Sequence, residues 1–150
     1  MLFKTTLAFV LLTSSAALAD NLKPDFIHWG ASVSNIQTAL RSKCSSITLQ
    51  NINPPDLSGA RVQTQLNCEG FTFQQKTAHA EFIFGNGELK LVRINTDAGD
   101  EDGLRTAMTA EYGAPDHTDA AYDGYSSGGA SLRHDKHQVI FYAPEVAPEN

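Results

Sequence analysis

The 150-residue chain has little of what marks several common functional classes. It holds two cysteines and one tryptophan, and its 11 basic residues face 17 acidic ones. No stretch approaches the roughly 20 apolar residues that a membrane-spanning helix needs, which argues against membrane insertion. Clustered lysines and arginines, which bind phosphate, are also scarce, so nucleic acid is not an expected partner.

The amino terminus has the layout of a bacterial secretory signal peptide. Lys4 forms a short basic head, residues 7–12 are apolar, and Ala17-Leu18-Ala19 supplies the small residues that precede a cleavage site. Removing Lys4 with residues 1–19 leaves 10 basic against 17 acidic residues and a net charge of −7. The first residue after the cut is Asp20 and not cysteine, which argues against a lipid anchor. We expect an exported protein, periplasmic or secreted.

Two cysteines, Cys44 and Cys68, make up the whole thiol content. In an oxidising compartment such a pair predicts a disulfide, and closing a loop of about 25 residues contributes roughly 3–4 kcal/mol in the loop-entropy account. Neither cysteine lies in a Cys-x-x-Cys motif or beside a histidine. A free nucleophilic thiol or half of a metal site remain the alternatives.

Hydrophobic periodicity places both cysteines on the core side of their elements. Apolar residues recur at helical spacing at positions 33, 36, 40 and 44, and Ser34 with Gln37 has the spacing of a capping box. Residues 46–52 form a short predicted strand. From Arg61 to Glu69 apolar and polar residues alternate, which predicts a strand with Cys68 on its apolar face.

The strongest local signal is Asn86-Gly87, which predicts a tight hairpin turn between strands at 78–84 and 89–95. In that register Phe84 faces Leu89 and Phe82 faces Leu91. A second helix is predicted to end at Tyr112, before Gly113, and short strands follow at 117–125, 130–134 and 137–142.

This order of elements predicts an α+β fold, a largely antiparallel sheet with two helices on one face. It also allows two similar half-units, each a helix followed by strands. The predicted organisation is a signal peptide at 1–19, a single domain at 20–143 and a flexible carboxy-terminal tail at 144–150.

Two groups of residues could bind metal. The acidic stretch 97–102 departs from the spacing of an EF-hand, and we expect Asp100 to cap the second helix instead. His134 and His137 flank a predicted turn and are candidate zinc or copper ligands, although a tight site needs further ligands. A solvated turn end is the alternative, and no cofactor is expected.

The polar side of the predicted strand at 61–69 is the candidate binding surface, formed by Arg61, Gln63, Gln65, Asn67 and Glu69. Five long or amide side chains in a row suit a protein contact, and they equally suit an ordinary solvated sheet face. No Gly-x-Ser-x-Gly motif is present, and no catalytic residue stands out.

Trp29-Gly30-x-Ser32 leads into the first helix, and the second ends in Tyr112-Gly113-Ala114-Pro115. With hairpins after each helix, the chain resembles small exported α+β modules of the BamE/SmpA and beta-lactamase-inhibitor-protein type. The resemblance implies a protein-binding or envelope-assembly role and assigns no binding residue. We therefore expect non-catalytic binding, with a periplasmic metal-binding protein or a small envelope hydrolase as alternatives.

Overall fold

The computed structural model describes residues 21–146, which form two helices and an eight-stranded sheet. The helices are α1 (Val33–Leu40) and α2 (Glu101–Tyr112). The strands are β1 (Ser46–Ile52), β2 (Gln63–Phe73), β3 (Lys76–Gly85), β4 (Glu88–Asn95), β5 (His117–Thr118), β6 (Tyr122–Tyr125), β7 (Ala130–Arg133) and β8 (Gln138–Tyr142).

The sheet is antiparallel throughout, in the order β1-β2-β3-β4-β8-β7-β6-β5. Each helix precedes a meander of four strands, and the two meanders meet through their last strands, β4 and β8. The predicted α+β class is confirmed, and the helix-then-four-strands order occurs twice. The sheet has two edges, β1 with seven residues and β5 with two.

Both helices pack on the same face of the sheet. Ile36 and Leu40 of α1, with Leu104 and Met108 of α2, belong to one buried cluster. The sheet contributes the following core residues to that cluster: Leu66, Phe71, Phe73, Phe82, Phe84, Val92, Ile94, Leu132, Val139 and Phe141. Burying each such side chain contributes roughly 1.5–3 kcal/mol, so this shared core holds the helices to the sheet.

The cap of α1 is Ser32, so the predicted cap at Ser34 was wrong. The Ser32 hydroxyl oxygen accepts a hydrogen bond from the Asn35 N–H at 3.2 Å. The Ala31 carbonyl accepts a hydrogen bond from the Leu89 N–H at 2.9 Å, which holds the chain extended up to the cap. This contact with β4 decides where the helix begins, and local spacing does not reveal it.

The disulfide between Cys44 and Cys68 is present, with Cα atoms 5.5 Å apart. It joins the segment after α1 to the middle of β2. Beside it, Gly70 has φ +73°, and a Cβ there would lie 2.7 Å from the Ser45 hydroxyl oxygen. Glycine at this position therefore permits the close approach of β1 to β2 next to the bridge.

The β3–β4 hairpin forms at the predicted turn, with one change of register. Phe84 pairs with Leu89 as predicted, but Leu91 pairs with Ile83 and not with Phe82. A β-bulge inserts one extra residue into β4, which reverses the side on which the following residues point. Leu91 consequently lies on the sheet face opposite the helices.

A second buried cluster, here called the outer cluster, occupies that opposite face and consists of Leu57, Ile83, Leu91, Ile140 and Tyr142. Val146 packs against it, and Glu145 Oε1 lies 2.6 Å from Lys90 Nζ. Residues 144–146, the start of the predicted tail, thus contact the sheet. Residues 147–150 and the predicted signal peptide lie outside the described residues.

Candidate functional site

The sheet face opposite the helices is here called the open face. Its side chains alternate with those of the core, and the strand register brings four of them into one row. Asn67 pairs with Thr48 on one side and with Glu81 on the other, and Glu81 pairs with Arg93. The row therefore crosses β1 to β4 and contains one of the predicted binding residues.

Only part of the predicted binding surface is available to a partner. Arg61 and Glu69 are exposed and Asn67 is half-buried, but Gln63 is 2% exposed and Gln65 is 9% exposed. The prediction that all five side chains are exposed was wrong at these two glutamines. Val62, which alternation assigned to the core side, is 60% exposed.

The loop that follows β1 explains the burial of Gln63, because it folds back across the open face. Its Leu57 joins the outer cluster, and the Gln63 side-chain carbonyl accepts hydrogen bonds from the N–H groups of Asp56 and Leu57, both at 2.9 Å. The Gln65 amide donates to Asn67 Oδ1 at 2.7 Å. Alternation thus predicts which face a side chain points to, but not what covers that face.

Three charged side chains and one histidine form a continuous polar chain on the open face. Glu69 Oε1 lies 2.6 Å from His79 Nδ1, and His79 Nε2 lies 3.6 Å from Glu81 Oε1. Arg93 Nη1 completes the chain at 3.5 Å from Glu81 Oε2. His79 thus lies between two carboxylates, and Glu81 lies between the imidazole and the Arg93 guanidinium.

Side-chain amides flank this chain. Asn67 Nδ2 donates to Gln50 Oε1 at 3.4 Å, and Gln138 Nε2 donates to Asn95 Oδ1 at 3.0 Å. Amides both donate and accept, and each keeps free capacity after one such bond. The open face can therefore form hydrogen bonds with a partner without burying an unpaired charge.

The candidate metal ligands His134 and His137 converge on Glu101, the first residue of α2. His134 Nδ1 contacts Glu101 Oε1, and His137 Nδ1 lies 3.6 Å from Glu101 Oε2. His134 Nε2 lies 3.3 Å from Asp123 Oδ1. The two carboxylates come from distant parts of the chain, so the turn sequence carried no sign of them.

Asp123 is almost fully buried, at 1% side-chain exposure, and is held by Arg105, whose Nε lies 2.8 Å from its Oδ2. Burial by itself raises the pKa of this carboxyl, but the hydrogen bond from Arg105 and the nearby His134 imidazole outweigh it, and the net pKa is lowered. Within residues 21–146, no group of three or more His, Cys, Asp or Glu side chains is arranged to hold a metal ion.

The predicted capping role of Asp100 was wrong in one respect. Asp100 precedes α2 directly, but its side chain makes no capping hydrogen bond. Its carboxylate instead binds the Lys76 ammonium at 2.6 Å, and Asp97 lies 3.6 Å from the same nitrogen. The hydrogen bond to Asp100 raises the pKa of Lys76.

Residues 26–145 match the model of a protein family described as "Uncharacterised protein". The chain belongs to this family. No curated protein and no solved structure matches the chain. The region that matches the uncharacterised family contains both helices, all eight strands, the disulfide and every residue of the open face.

No helix within residues 21–146 has the length and apolar character required to cross a membrane.

Proposed function

We propose that this protein acts by non-catalytic binding of a protein partner in the bacterial cell envelope, through the open face of its sheet. The observation that carries the proposal is the connected polar surface of Gln50, Asn67, Glu69, His79 and Arg93. These side chains lie on strands that are held from behind by two helices and a disulfide. A surface on rigid elements loses little conformational entropy on binding.

The composition of this surface favours a protein partner over a polyanion such as nucleic acid. Protein interfaces are about as polar as the rest of a protein's surface, and they commonly carry direct hydrogen bonds of the kind that amides supply. The chain has a formal net charge of −6, and the open face carries two carboxylates, Glu69 and Glu81, beside Arg93. Neither property suits a polyanion.

Export is the second part of the proposal. The predicted signal peptide supports it, as does the disulfide, because such bonds persist in oxidising compartments. The resemblance to BamE/SmpA and beta-lactamase-inhibitor-protein modules points to the same role. Mass spectrometry of protein recovered from its native host tests this part, with a mature chain beginning at Asp20 expected. Recovery of a chain that retains Met1 would contradict it.

Site-specific photo-crosslinking in the native host tests the binding surface. We would introduce a photoreactive phenylalanine analogue at Gln50 or Asn67, on the open face, and at Thr106, exposed on α2, as the matched control. A single adduct of the same mass at both open-face positions, different from that of a second copy of this chain and absent at Thr106, is the expected result. Equal adducts at all three positions, or none on the open face, would refute the proposed surface.

Glu69 provides a graded test of the same surface, since its side chain is 56% exposed. Glu69→Lys reverses one charge without disturbing the core, and we expect it to lower the crosslinking yield at Gln50 several-fold. Glu111→Lys is a charge reversal at an exposed position on α2, where the carboxylate accepts a hydrogen bond from the Leu22 N–H, and it should leave the yield unchanged.

A further inference from the structure

The two edges of the sheet differ greatly. The β5 edge has two residues, whereas β1 has seven and hydrogen-bonds within residues 21–146 to β2 alone. At about 3.4 Å per residue the β1 edge is about 24 Å long. In an antiparallel strand alternate residues direct their N–H and C=O groups away from the neighbouring strand. The outer side of β1 therefore presents a row of backbone donors and acceptors.

Natural proteins protect such edges with charged residues, proline, bulges or short length. The β1 sequence, Ser-Ile-Thr-Leu-Gln-Asn-Ile, contains no charge and no proline, and its pairing with β2 is regular over all seven residues. The exposed large hydrophobic residues among those the structure describes are Leu49, at 51%, and Val62, at 60%. Both lie here, one in β1 and the other directly before β2.

We propose that β1 pairs with β1 of a second copy of this chain, antiparallel, about a two-fold axis through Leu49. In this register Leu49 lies directly opposite Leu49 of the second copy, and Thr48 lies opposite Gln50. Leu49 pairs with Leu66, a core residue, so the two leucines meet on the helix side of the joined sheet. This inference does not depend on the proposed function.

Charge favours a second copy as the occupant of this edge. Two molecules of net charge −6 repel one another over most of their surfaces, but β1 places no charged side chain opposite another. This uncharged edge is therefore a part of the surface where two copies can meet with little repulsion.

The disulfide holds the start of β1 against β2, because Cys44 lies two residues before β1 and is bonded to Cys68 of β2. The strand is thus ordered before a partner arrives, and association need not order it. A pair of seven-residue edges buries less than the roughly 1,200 Å² of a standard stable interface. We therefore expect a weak dimer whose population rises with concentration.

Cysteine substitution tests the register. In Leu49→Cys the two new thiols lie directly opposite one another, within the Cα spacing that a disulfide bridges. In Thr48→Cys the two Cα atoms are roughly 8 Å apart, beyond that limit. Under mild oxidation we expect Leu49→Cys to form a covalent dimer at least tenfold faster, with the native disulfide intact by peptide mapping. Equal rates would overturn the proposal.

Sedimentation equilibrium of the unmodified protein, up to about 1 mM, tests association directly. Leu49→Asp sets like charges opposite one another at the axis. Leu49→Asn is the matched control, because asparagine has nearly the shape of aspartate but no charge. We expect the aspartate variant to associate at least tenfold more weakly than the asparagine variant. A strictly monomeric protein, or a dimer equally populated in both variants, would overturn the proposal. So would an edge that accepts an extended peptide but never a second copy.

Discussion

At the scale of single residues, burial and partners separate side chains of the same chemical type. Asp102 and Asp123 both bind Arg105, yet the side chain of Asp102 is 98% exposed and that of Asp123 is 1% exposed. An exposed ion pair contributes little to stability because water competes for both charges. A buried carboxylate depends on its partners, because without them it would be desolvated and unpaired.

This contrast makes Asp123→Asn the more damaging of two chemically identical substitutions. We expect it to lower the free energy of unfolding by about 1.5–3 kcal/mol, the range for a hydrogen bond that involves charge. Asp102→Asn, the matched control, should cost less than about 0.5 kcal/mol. Urea unfolding of the two variants measures both values, and equal losses would show that burial does not govern this cluster.

The lowered pKa of Asp123 also predicts how this contribution varies with pH. A carboxyl whose folded pKa is depressed stabilises the fold above its unfolded pKa, near 3.9, and loses that contribution as the pH falls through the folded value. The stability difference between the wild-type protein and Asp123→Asn should therefore be full near pH 6 and shrink below about pH 4. A difference that grows on acidification would contradict this assignment.

At the scale of elements, close contacts between neighbouring segments depend on a few small residues. Gly128, in the turn before β7, packs under Tyr112 at the end of α2, and a Cβ on Gly128 would lie 2.3 Å from Tyr112 Cδ1. Burial, with a smaller contribution from Glu111, raises the pKa of Tyr112 to about 12. The end of α2 and the turn before β7 are therefore in close contact through the Tyr112 ring.

Gly128→Ala should disrupt this contact, because the tyrosine ring must move to admit the methyl group. We expect a loss of about 1–3 kcal/mol in the free energy of unfolding, as for other overpacked sites. Gly103→Ala, within α2 and with nothing within 4 Å of the added Cβ, should instead stabilise by about 0.5–1 kcal/mol. Thermal and urea unfolding compare the variants, and a neutral Gly128→Ala would refute the steric account.

The disulfide acts between elements in a different way, by restricting the unfolded chain. Its two cysteines are 24 residues apart, for which the loop-entropy account predicts a contribution of about 3–4 kcal/mol. The variant with Cys44→Ser and Cys68→Ser should lose this amount in urea unfolding. Wild-type protein under reducing conditions should have the same free energy of unfolding as the variant. A variant or a reduced protein as stable as the oxidised wild type would contradict the prediction.

At the scale of the whole molecule, the two meanders form one continuous sheet through the pairing of β4 with β8. These central strands have a neighbour on both sides and contribute Val92, Ile94, Val139 and Phe141 to the core. The edges β1 and β5 each have one neighbouring strand. Protection of backbone amides from hydrogen exchange should therefore fall from the centre of the sheet to its edges.

Native-state hydrogen exchange measures this gradient. We expect the hydrogen-bonded amides of β4 and β8 to exchange most slowly, at rates that approach those of global unfolding, and those of β5 to exchange fastest. Protection of β1 should increase with protein concentration if its edge pairs with a second copy. Slow exchange in one meander and fast exchange in the other would show that the halves unfold separately.

The sequence was sufficient to predict β1 residue for residue, the hairpin turn, the end of α2 at Tyr112 and the pairing of Cys44 with Cys68. The first three follow from local patterns and turn residues, and the disulfide follows from the presence of only two cysteines in a chain with a predicted export signal. The cap at Ser32, the bulge in β4 and the burial of Gln63 depend on distant segments, so local patterns missed them.

The candidate site likewise has features that local patterns predict and features that depend on distant segments. Local sequence is enough to predict a polar row along β2, since a strand of period two must place Asn67 and Glu69 on one side. Which members of that row remain accessible depends on distant segments, because the loop carrying Leu57 covers Gln63 and His79 of β3 contacts Glu69. The direction in which a side chain points is set by its own strand, whereas its exposure depends on every segment that folds over the same surface.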